Sequence, residues 1–486
     1  VKEPIVGKYD WIYDLDLTSL YPSIIMTLNI SPETKVGKIS NWDAEQYIKG
    51  EEITYKLKGK DGDEYEYNRQ ELADVIKDSQ LGVAANGVLY MQDKPGLIAD
   101  ILNTWFNKRV EYRKLEKKYG EEKNTELYEF YGKRQHVQKI LLNSMYGVLG
   151  LPAFRFYDVD NAEAVTLTGQ VVIKKTAEMA NRKYWKELGT TDDYNVYIDT
   201  DSIYMMAEPL VKHRYPEYKT FDEKRMAVEV DNIATETQTF LNSFYDLLAE
   251  RFFFIPKDKH RFEIKKEYIS KAGFWVAKKR YAQWMILKNG IPCDKLDVKG
   301  LDVVRSSFPK AFQKFMSTML KDILMGKDHD YIDDTLLTFK KSLPTLPVNT
   351  IAKGGALKEL SKYDKGNWKS GDAVANFEKG TPAHVKAGIT YNRLLKFFNC
   401  PYKHEPIRDG DKVKWVYLKD NPLGLETVAF KDYNDPKEIM DFVETYVDRN
   451  KIFEAELENK LDDFYNALKW DKVTADTKTA KKFFAF

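Results

Sequence analysis

The sequence has 486 residues, 43% hydrophobic and 31% charged, which is enough to bury a sizeable core in two or three subdomains. Lysine and arginine total 76 against 75 acidic residues, so the net charge of +1 does not by itself indicate a polyanionic partner. Two cysteines, Cys293 and Cys400, exclude a four-cysteine zinc signature and a disulfide framework, and no apolar run approaches the roughly 18 residues of a membrane-spanning helix.

The first element in chain order is a short apolar strand over residues 11–16, which ends in the carboxylate of Asp16. A turn over residues 19–22 and then a helix are expected to follow it. Residues 35–94 are polar and only weakly periodic, and we interpret them as connecting structure.

Two helices and a hairpin are predicted next. Residues 97–119 and 124–149 have helical periodicity with a break at Gly120, which indicates an antiparallel helix pair. Residues 194–206 alternate apolar side chains around Asp199-Thr200-Asp201, a pattern typical of a β-hairpin whose tight turn holds the acids. Residues 224–251 are helical by pattern, and residues 256–280 carry nine basic and three acidic side chains.

Three acids, Asp16, Asp199 and Asp201, are the candidate metal ligands. Phosphoryl transfer to a sugar hydroxyl uses two Mg²⁺ ions about 3.5 to 4 Å apart, and Mg²⁺ prefers carboxylate and carbonyl oxygens. An aspartate at a strand end beside a hairpin Asp-Thr-Asp would supply such oxygens from two strands. Turn chemistry alone is the alternative explanation of any single Asp-x-Asp.

Each helix of the predicted pair has a face of candidate binding residues. The first face is basic and the second is mixed polar and aromatic, a combination that suits a triphosphate and a base pair. A solvated helix surface is the alternative for the basic stripe. Gly147 costs the helix about 1 kcal/mol relative to alanine, which hints at a close approach there. The faces comprise Arg109, Arg113 and Lys117 on the first helix, and Lys139, Asn143, Tyr146 and Gly147 on the second.

The residues directly after Asp16 form a candidate phosphate-binding loop. Small residues and a proline-fixed turn over residues 19–23 would leave backbone N–H groups available for phosphate oxygens. Tyr21 would lie near the nucleotide sugar if Asp16 holds metals. An ordinary core tyrosine is the alternative.

These motifs resemble those of the family B DNA polymerases. DLTSLYPSII at 16–25, KILLNSMYGVLG at 139–150 and YIDTDSIY at 197–204 are similar to the family's three polymerase motifs, in the family's order. AKKRYA at 277–282 is similar to its primer-grip motif, and KGLDVVRSSFPK at 299–310 to the start of its thumb. NISPET at 29–34 and ITYNR at 389–393 narrow the resemblance to the T-even bacteriophage type.

The resemblance implies a role for each matching residue. Asp16 and Asp201 would bind both Mg²⁺ ions, the carbonyl of Leu17 would join the nucleotide-bound ion, and Asp199 would lie nearby in a supporting role. Lys139 could also donate a proton to the leaving pyrophosphate, and Tyr21 would exclude ribonucleotides. Nucleotide contacts are implied for Leu17, Thr18, Ser19, Leu20, Tyr21, Arg109, Arg113, Lys139 and Asn143. DNA contacts are implied for Tyr146, Gly147, Lys279 and Tyr281.

The implied fold is α+β, a right-hand polymerase with an antiparallel-sheet palm (residues 1–97 and 153–302), helical fingers (98–152) and a mainly helical thumb (303–486). The implied activity is template-directed addition of deoxynucleotides to a primer. Arg109 and Lys139 lie only 30 positions apart, so we expect fingers shorter than in the T-even type. Two alternatives remain open: a non-catalytic DNA-binding or scaffolding subunit derived from a polymerase, and an RNA-synthesising or RNA-templated polymerase.

Partners and location follow from the same resemblance. Phe483, Phe484 and Phe486 resemble a tail that binds a sliding clamp, although this tail could instead pack on the thumb. No Asp-x-Glu exonuclease motif occurs in a matching context, so we expect no 3′ to 5′ nuclease in these residues. Either the chain is a fragment of a longer polymerase, or a separate subunit supplies the nuclease. We expect a soluble protein of the cytoplasm, of the host cell if a phage encodes it.

Overall fold

A computed structural model describes residues 2–365, 377–400 and 404–471. The chain divides into two compact units, one comprising Val1–Ile5, Asp10–Lys271 and Ile286–Cys293, and the other Val6–Tyr9, Ala272–Met285 and Asp294–Phe486. Antiparallel sheets combined with long helices confirm the expected α+β class. The division into palm, fingers and thumb stays a prediction.

The strands form three sheets, with the orders β11-β10-β9-β1-β8-β7, β4-β3-β2-β6-β5 and β12-β13-β14. Their bounds are β1 (Gly7–Leu17), β2 (Lys35–Ile39), β3 (Tyr55–Gly59), β4 (Glu64–Tyr67), β5 (Leu81–Val83), β6 (Val88–Met91), β7 (Asn195–Asp199), β8 (Ser202–Met206), β9 (Ile264–Ala277), β10 (Arg280–Lys288), β11 (Ile291–Lys299), β12 (Lys353–Ala356), β13 (Lys412–Tyr417) and β14 (Thr427–Phe430).

The helices of the first unit include two of 30 residues or more, α6 and α8. Their bounds are α1 (Leu20–Leu28), α2 (Ala44–Lys49), α3 (Arg69–Asp78), α4 (Leu97–Glu121), α5 (Thr125–Leu149), α6 (Val159–Leu188), α7 (Glu208–Arg214) and α8 (Glu223–Phe253). Those of the second unit are α9 (Lys310–Leu324), α10 (His329–Ser342), α11 (Val348–Ile351), α12 (Leu360–Tyr363), α13 (Ala383–Phe397), α14 (Lys437–Tyr446), α15 (Arg449–Phe453) and α16 (Asn459–Leu468). Within the described ranges, no helix has the length and apolar character needed to cross a bilayer.

The core of the first unit lies between β1, β8 and the helices that cover them. Leu15 of β1, Ile203 of β8 and Ile24 of α1 are fully buried, and α6 and α8 contribute buried residues along most of their lengths. Strand alternation places Asp16 opposite this packed face at the carboxyl end of β1. The predicted strand, hairpin and helix pair are confirmed, although α4 runs through Gly120 and ends at Glu121.

The interpretation of residues 35–94 as connecting structure was wrong. These residues form the five-stranded antiparallel sheet together with α2 and α3. A second, smaller core holds the sheet, and its fully buried members include Ile39, Leu72 and Val83. The strands are three to five residues long and β4 buries no side chain, so their sequence carries little periodicity.

Candidate active site

The three candidate acids lie at the same end of the sheet, Asp16 near the end of β1, Asp199 at the end of β7 and Asp201 in the turn between β7 and β8. β1 pairs antiparallel with β8 so that Asp16 faces Ser202, and β8 pairs with β7 so that Asp199 also faces Ser202. Thr200 and Asp201 form the turn, in which Thr200 has a φ of 57°. The Leu17 N–H donates to the Asp201 carbonyl at 2.9 Å, which fixes the end of β1 against this turn.

The Asp16 carboxyl lies in an electrostatically unfavourable position. Burial first, and then the charge of Asp201, raise the pKa of Asp16 to about 7. The Ser202 hydroxyl donates to Asp16 Oδ2 at 2.8 Å and, with the charge of Lys139, opposes this rise in pKa. Two carboxylates that disfavour each other's ionisation are a donor set that a hard divalent cation would stabilise.

A cavity of about 620 Å³ opens above these acids. This volume lies within the range of small-molecule binding sites, and basic side chains outnumber acidic ones around it. It is lined by Asp16, Thr18, Ser19, Arg109, Arg113, Gln135, His136, Lys139, Asn143, Asp201, Lys265, Lys266, Glu267, Lys288 and Asn289. Asp199 lies at the end of β7, outside this lining, and its carbonyl accepts from the Asp201 N–H at 2.6 Å.

Arg109 is a half-buried cation of the cavity. Its Nη1 donates to Ser19 Oγ at 3.3 Å, while its Nε is buried without a hydrogen-bond partner among the described residues. Burial, and then the charge of Arg113, lower the pKa of Arg109. A buried guanidinium donor beside a second cation is an arrangement that an anionic ligand would satisfy. Lys117, on the same helix face, lies outside the cavity and approaches Glu121 at 3.8 Å.

The segment after Asp16 is arranged differently from the expected loop. Ser19 has a left-handed backbone and α1 begins at Leu20, so Pro22 lies inside the helix and not in a turn before it. The Thr18 N–H donates to the Glu263 carbonyl and the Ser23 N–H to the Ser19 carbonyl, each at 2.9 Å. These N–H groups, and that of Leu17, therefore already have acceptors within the chain. Thr18 and Ser19 line the cavity, while the side chains of Leu17 and Leu20 are buried.

The aromatic and small residues expected near a base pair lie on α1 and α5. Tyr21 is half-buried and tilts against Tyr146, with ring centroids 4.6 Å apart. Asn143, one helical turn before Tyr146, is exposed and lines the cavity. A Cβ added at Gly147 would meet no described atom within 4 Å, so packing within the chain does not explain this glycine.

Two predicted DNA-binding residues lie in the second unit. Lys279 occupies the turn between β9 and β10 with a φ of 59°. Tyr281 is 3% exposed and stacks on Trp275 with centroids 5.9 Å apart. Only a small edge of Tyr281 could reach a ligand, so a contact with DNA stays a prediction. The predicted tail residues Phe483, Phe484 and Phe486 lie outside the described residues.

Two further carboxyls near the acids were missed. Glu267 lines the cavity, and Asp14 is buried two residues before Asp16, where Tyr268 N–H donates to it at 2.5 Å. Burial, and then the charge of Glu267, raise the pKa of Asp14 well above its ordinary range. The sequence Lys265-Lys266-Glu267 places an acidic side chain within the basic segment 256–280, which could have indicated a candidate site residue. The sequence analysis interpreted only the excess of positive charge in that segment. No group of three or more His, Cys, Asp or Glu side chains in the described ranges forms a metal site.

Comparison with known proteins agrees with these motifs. The sequence model of DNA polymerase family B matches residues 1–214. The DNA-directed DNA polymerases of Enterobacteria phage T4 and Escherichia phage RB69 are 27% and 26% identical over 93% and 97% of this chain. DNA polymerase 1 of Pyrococcus abyssi is 25% identical over 94% of it. The chain spans 53%, 55% and 46% of these relatives, about half their length. The chain is thus similar to the family B DNA polymerases through the family's sequence model over residues 1–214, and to the T4 and RB69 polymerases over most of its length.

Proposed function

We propose that this chain is a template-directed DNA polymerase that adds deoxynucleotides to a primer 3′ end by two-metal nucleotidyl transfer. One observation carries the proposal: Asp16 on β1 and Asp201 in the turn between β7 and β8 line the same cavity as Arg109 and Lys139. This places metal-binding oxygens and phosphate-binding cations around a space of nucleotide size. The strands would belong to the palm, α4 and α5 to the fingers, and residues 303–486 to the thumb.

The oxygen donors fit Mg²⁺. Asp16 and Asp201 would hold the ions together with the Leu17 carbonyl, and Asp199 would support the turn that carries Asp201. Bound Mg²⁺ supplies Lewis-acid activation of the primer hydroxyl and charge neutralisation on the triphosphate. The raised pKa of Asp16 supports this assignment, because an ionised Asp16 beside Asp201 is unfavourable until a cation compensates both charges.

The remaining residues of the cavity would bind and orient the nucleotide. Arg109 and Arg113 would contact the triphosphate, since α4 directs both toward the cavity. Lys139 would hold the same group and donate a proton to the departing pyrophosphate. Thr18 and Ser19 would lie against the phosphates.

A further group of residues would contact the sugar, the new base pair and the primer terminus. Tyr21 would lie under the deoxyribose and exclude the 2′-hydroxyl of ribonucleotides. Asn143, Tyr146 and Gly147 would border the pair, and the open space beside Gly147 supports an approach from outside the chain. Lys279 and Tyr281 would hold the primer terminus.

Primer extension tests the central proposal. Purified protein is incubated with a primer-template, Mg²⁺ and labelled deoxynucleotides, beside an Asp201→Ala variant and an Asp78→Ala control on the exposed surface of α3. Wild type and control should extend the primer, and Asp201→Ala should bind the primer-template without extending it. Binding without extension by the wild-type chain would instead favour a non-catalytic subunit.

We further propose that residues 1–486 have no 3′ to 5′ exonuclease activity, and that a nuclease acts from another segment or subunit. The test incubates the protein with a 3′-mismatched primer, Mg²⁺ and no nucleotides. The primer should keep its length. Shortening that persists in Asp16→Ala and Asp201→Ala would reveal a nuclease elsewhere in these residues.

A sliding clamp is the proposed partner of Phe483, Phe484 and Phe486. Three aromatic side chains near a chain end are a common means of docking to another protein. Deleting residues 483–486 should shorten the products made per binding event only when clamp is present. An equal loss of product length without clamp would instead favour the alternative that these residues pack on the thumb.

A further inference from the structure

A buried glycine lies against the proposed sugar-discriminating tyrosine. Gly169 lies in the interior of α6, where glycine costs a helix about 1 kcal/mol relative to alanine. A Cβ added there would lie 3.3 Å from Tyr21 Cε1 and 3.4 Å from Ile24 Cδ1. These distances leave no room for a methyl group without movement of its neighbours, so the glycine permits the close approach of the Tyr21 ring to α6.

The neighbours of this ring limit how it could move. Ile24 is fully buried and Leu20 is 4% exposed, so the helix that carries Tyr21 is fixed in the core. The ring itself contacts Tyr146, with centroids 4.6 Å apart and planes inclined by 58°. Tyr146 is half-buried on α5, one helical turn from the cavity-lining Asn143. The ring therefore lies beside Gly169 of α6 and has an aromatic contact on α5.

We propose that Gly169 and Tyr146 are positioning residues that set the place of the Tyr21 ring and thereby the discrimination between deoxyribonucleotides and ribonucleotides. This inference rests on the proposed function, since it concerns the sugar of the incoming nucleotide. A ring that excludes a single hydroxyl acts through steep short-range repulsion, so a shift of a few tenths of an ångström changes the exclusion. Gly169 exerts this effect from α6, without touching the nucleotide.

The experiment compares Gly169→Ala with a matched control, Gly120→Ala. Both substitutions add one methyl group to a helical glycine, and the control methyl would lie 3.2 Å from Tyr128 Cδ2. Tyr128 is 47% exposed and can move into solvent. The measurement is the ratio of kcat/KM for a deoxynucleotide over the matching ribonucleotide, in single-nucleotide addition. Gly169→Ala should change this ratio by about threefold to tenfold, and Gly120→Ala should leave it unchanged.

A double-mutant cycle shows whether the effect passes through the tyrosine. Tyr21→Ala should lower the ratio strongly, and adding Gly169→Ala to it should then change nothing further. If Gly169→Ala does not fold, the same double-mutant cycle is measured with Tyr146→Leu in its place. That variant removes the aromatic contact of the Tyr21 ring on α5. Ratios that respond to neither Gly169→Ala nor Tyr146→Leu, or that change by the same factor without the Tyr21 ring, would overturn the inference.

The outcomes also separate this inference from the proposed function. A wild-type chain that adds no nucleotide would overturn both. A Tyr21→Ala variant with an unchanged ratio would show that Tyr21 does not discriminate sugars, and the positioning role would fail with it. A lowered ratio in Tyr21→Ala with an unaltered ratio in Gly169→Ala and Tyr146→Leu would overturn the positioning role alone.

Discussion

The strands that carry the acids and the helices that carry the cations are held in different ways. Leu15 and Leu17 on either side of Asp16 are buried, as is Ile203 behind the turn of Asp201. In the helix pair, by contrast, α4 buries side chains only over Ile98–Leu102 and α5 only at Leu142 and Leu149. Every described residue from 103 to 141 is at least partly exposed.

Contacts between α4 and α5 replace a core along the exposed part of the pair. Tyr119 stacks on Tyr131 with centroids 5.5 Å apart, and the Arg134 guanidinium lies 5.8 Å from the ring centroid of Tyr112. Partly exposed contacts of this kind between two helices are weaker than a buried core and open more readily. The comparison indicates a rigid half of the site, which carries the proposed metal ligands, and a more adjustable half, which carries the cations proposed to bind the triphosphate.

Substituting one of the two acids removes a proposed metal ligand from the rigid half of the site. This change should have the largest effect on kcat. Asp16→Asn or Asp201→Asn should lower kcat by about 10³-fold or more, because each removes a ligand of the metals that stabilise the transition state. Binding of the primer-template should change little, since basic residues contact its phosphates. Rapid-quench kinetics and a binding titration measure the two quantities. Near-normal kcat in either variant would remove these acids from the reaction.

The pH dependence of the free energy of unfolding tests the rigid half of the site without an activity assay. The pKa of Asp16 is about 7 in the folded protein, against an ordinary value of 3.8. Between pH 4 and 7 the unfolded chain therefore loses a proton that the folded chain keeps, so stability falls as the pH rises and levels off above 7. The free energy of unfolding should fall by about 4 kcal/mol more in wild type than in Asp16→Asn.

Urea unfolding from pH 4 to 8 in the absence of divalent ions measures this difference. Adding Mg²⁺ at pH 8 should recover part of the loss in wild type and none in Asp16→Asn, because the ion compensates the ionised carboxylate. Parallel pH curves for the two proteins would show that Asp16 titrates normally.

Removing a cation tests the adjustable half. Arg109→Ala or Lys139→Ala should each lower kcat/KM for the nucleotide by about tenfold to a hundredfold, the value of one charge-assisted hydrogen bond to phosphate. Lys117→Ala is the matched control, since it lies on the same face of α4 as Arg109 but outside the cavity. Equal effects of Arg109→Ala and Lys117→Ala would indicate a general loss of positive charge.

Of these substitutions, Gly147→Ala should have the smallest energetic effect. Its effect should also be the one most specific to the proposed base-pair position. The added methyl meets nothing in the chain, so alanine should stabilise α5 by about 1 kcal/mol. If the new base pair approaches this position, extension should nevertheless slow. Thermal unfolding and single-nucleotide addition measure the two effects. Faster or unchanged addition in the stabilised variant would place the base pair elsewhere.

Local patterns in the sequence predicted the parts of the site that depend on local structure. The strand before Asp16, the hairpin of Asp201 and the helix pair each follow from periodicity within about a dozen residues or more. The sheet of β2–β6 was missed because its strands are only three to five residues long and β4 buries no side chain, so their sequences show little periodicity. Gly169 was missed because its contact with Tyr21 spans 148 positions, which no local pattern reports.

Direct metal binding is the measurement that tests the two-metal account most closely. Mn²⁺ can replace Mg²⁺ as a paramagnetic probe, and its binding can be counted at pH 8 with primer-template and a non-hydrolysable deoxynucleotide present. Wild type and Asp78→Asn should bind two ions per chain, while Asp16→Asn and Asp201→Asn should lose at least one of them. Equal Mn²⁺ binding by all four proteins would contradict the account, because the acids would then hold no metal.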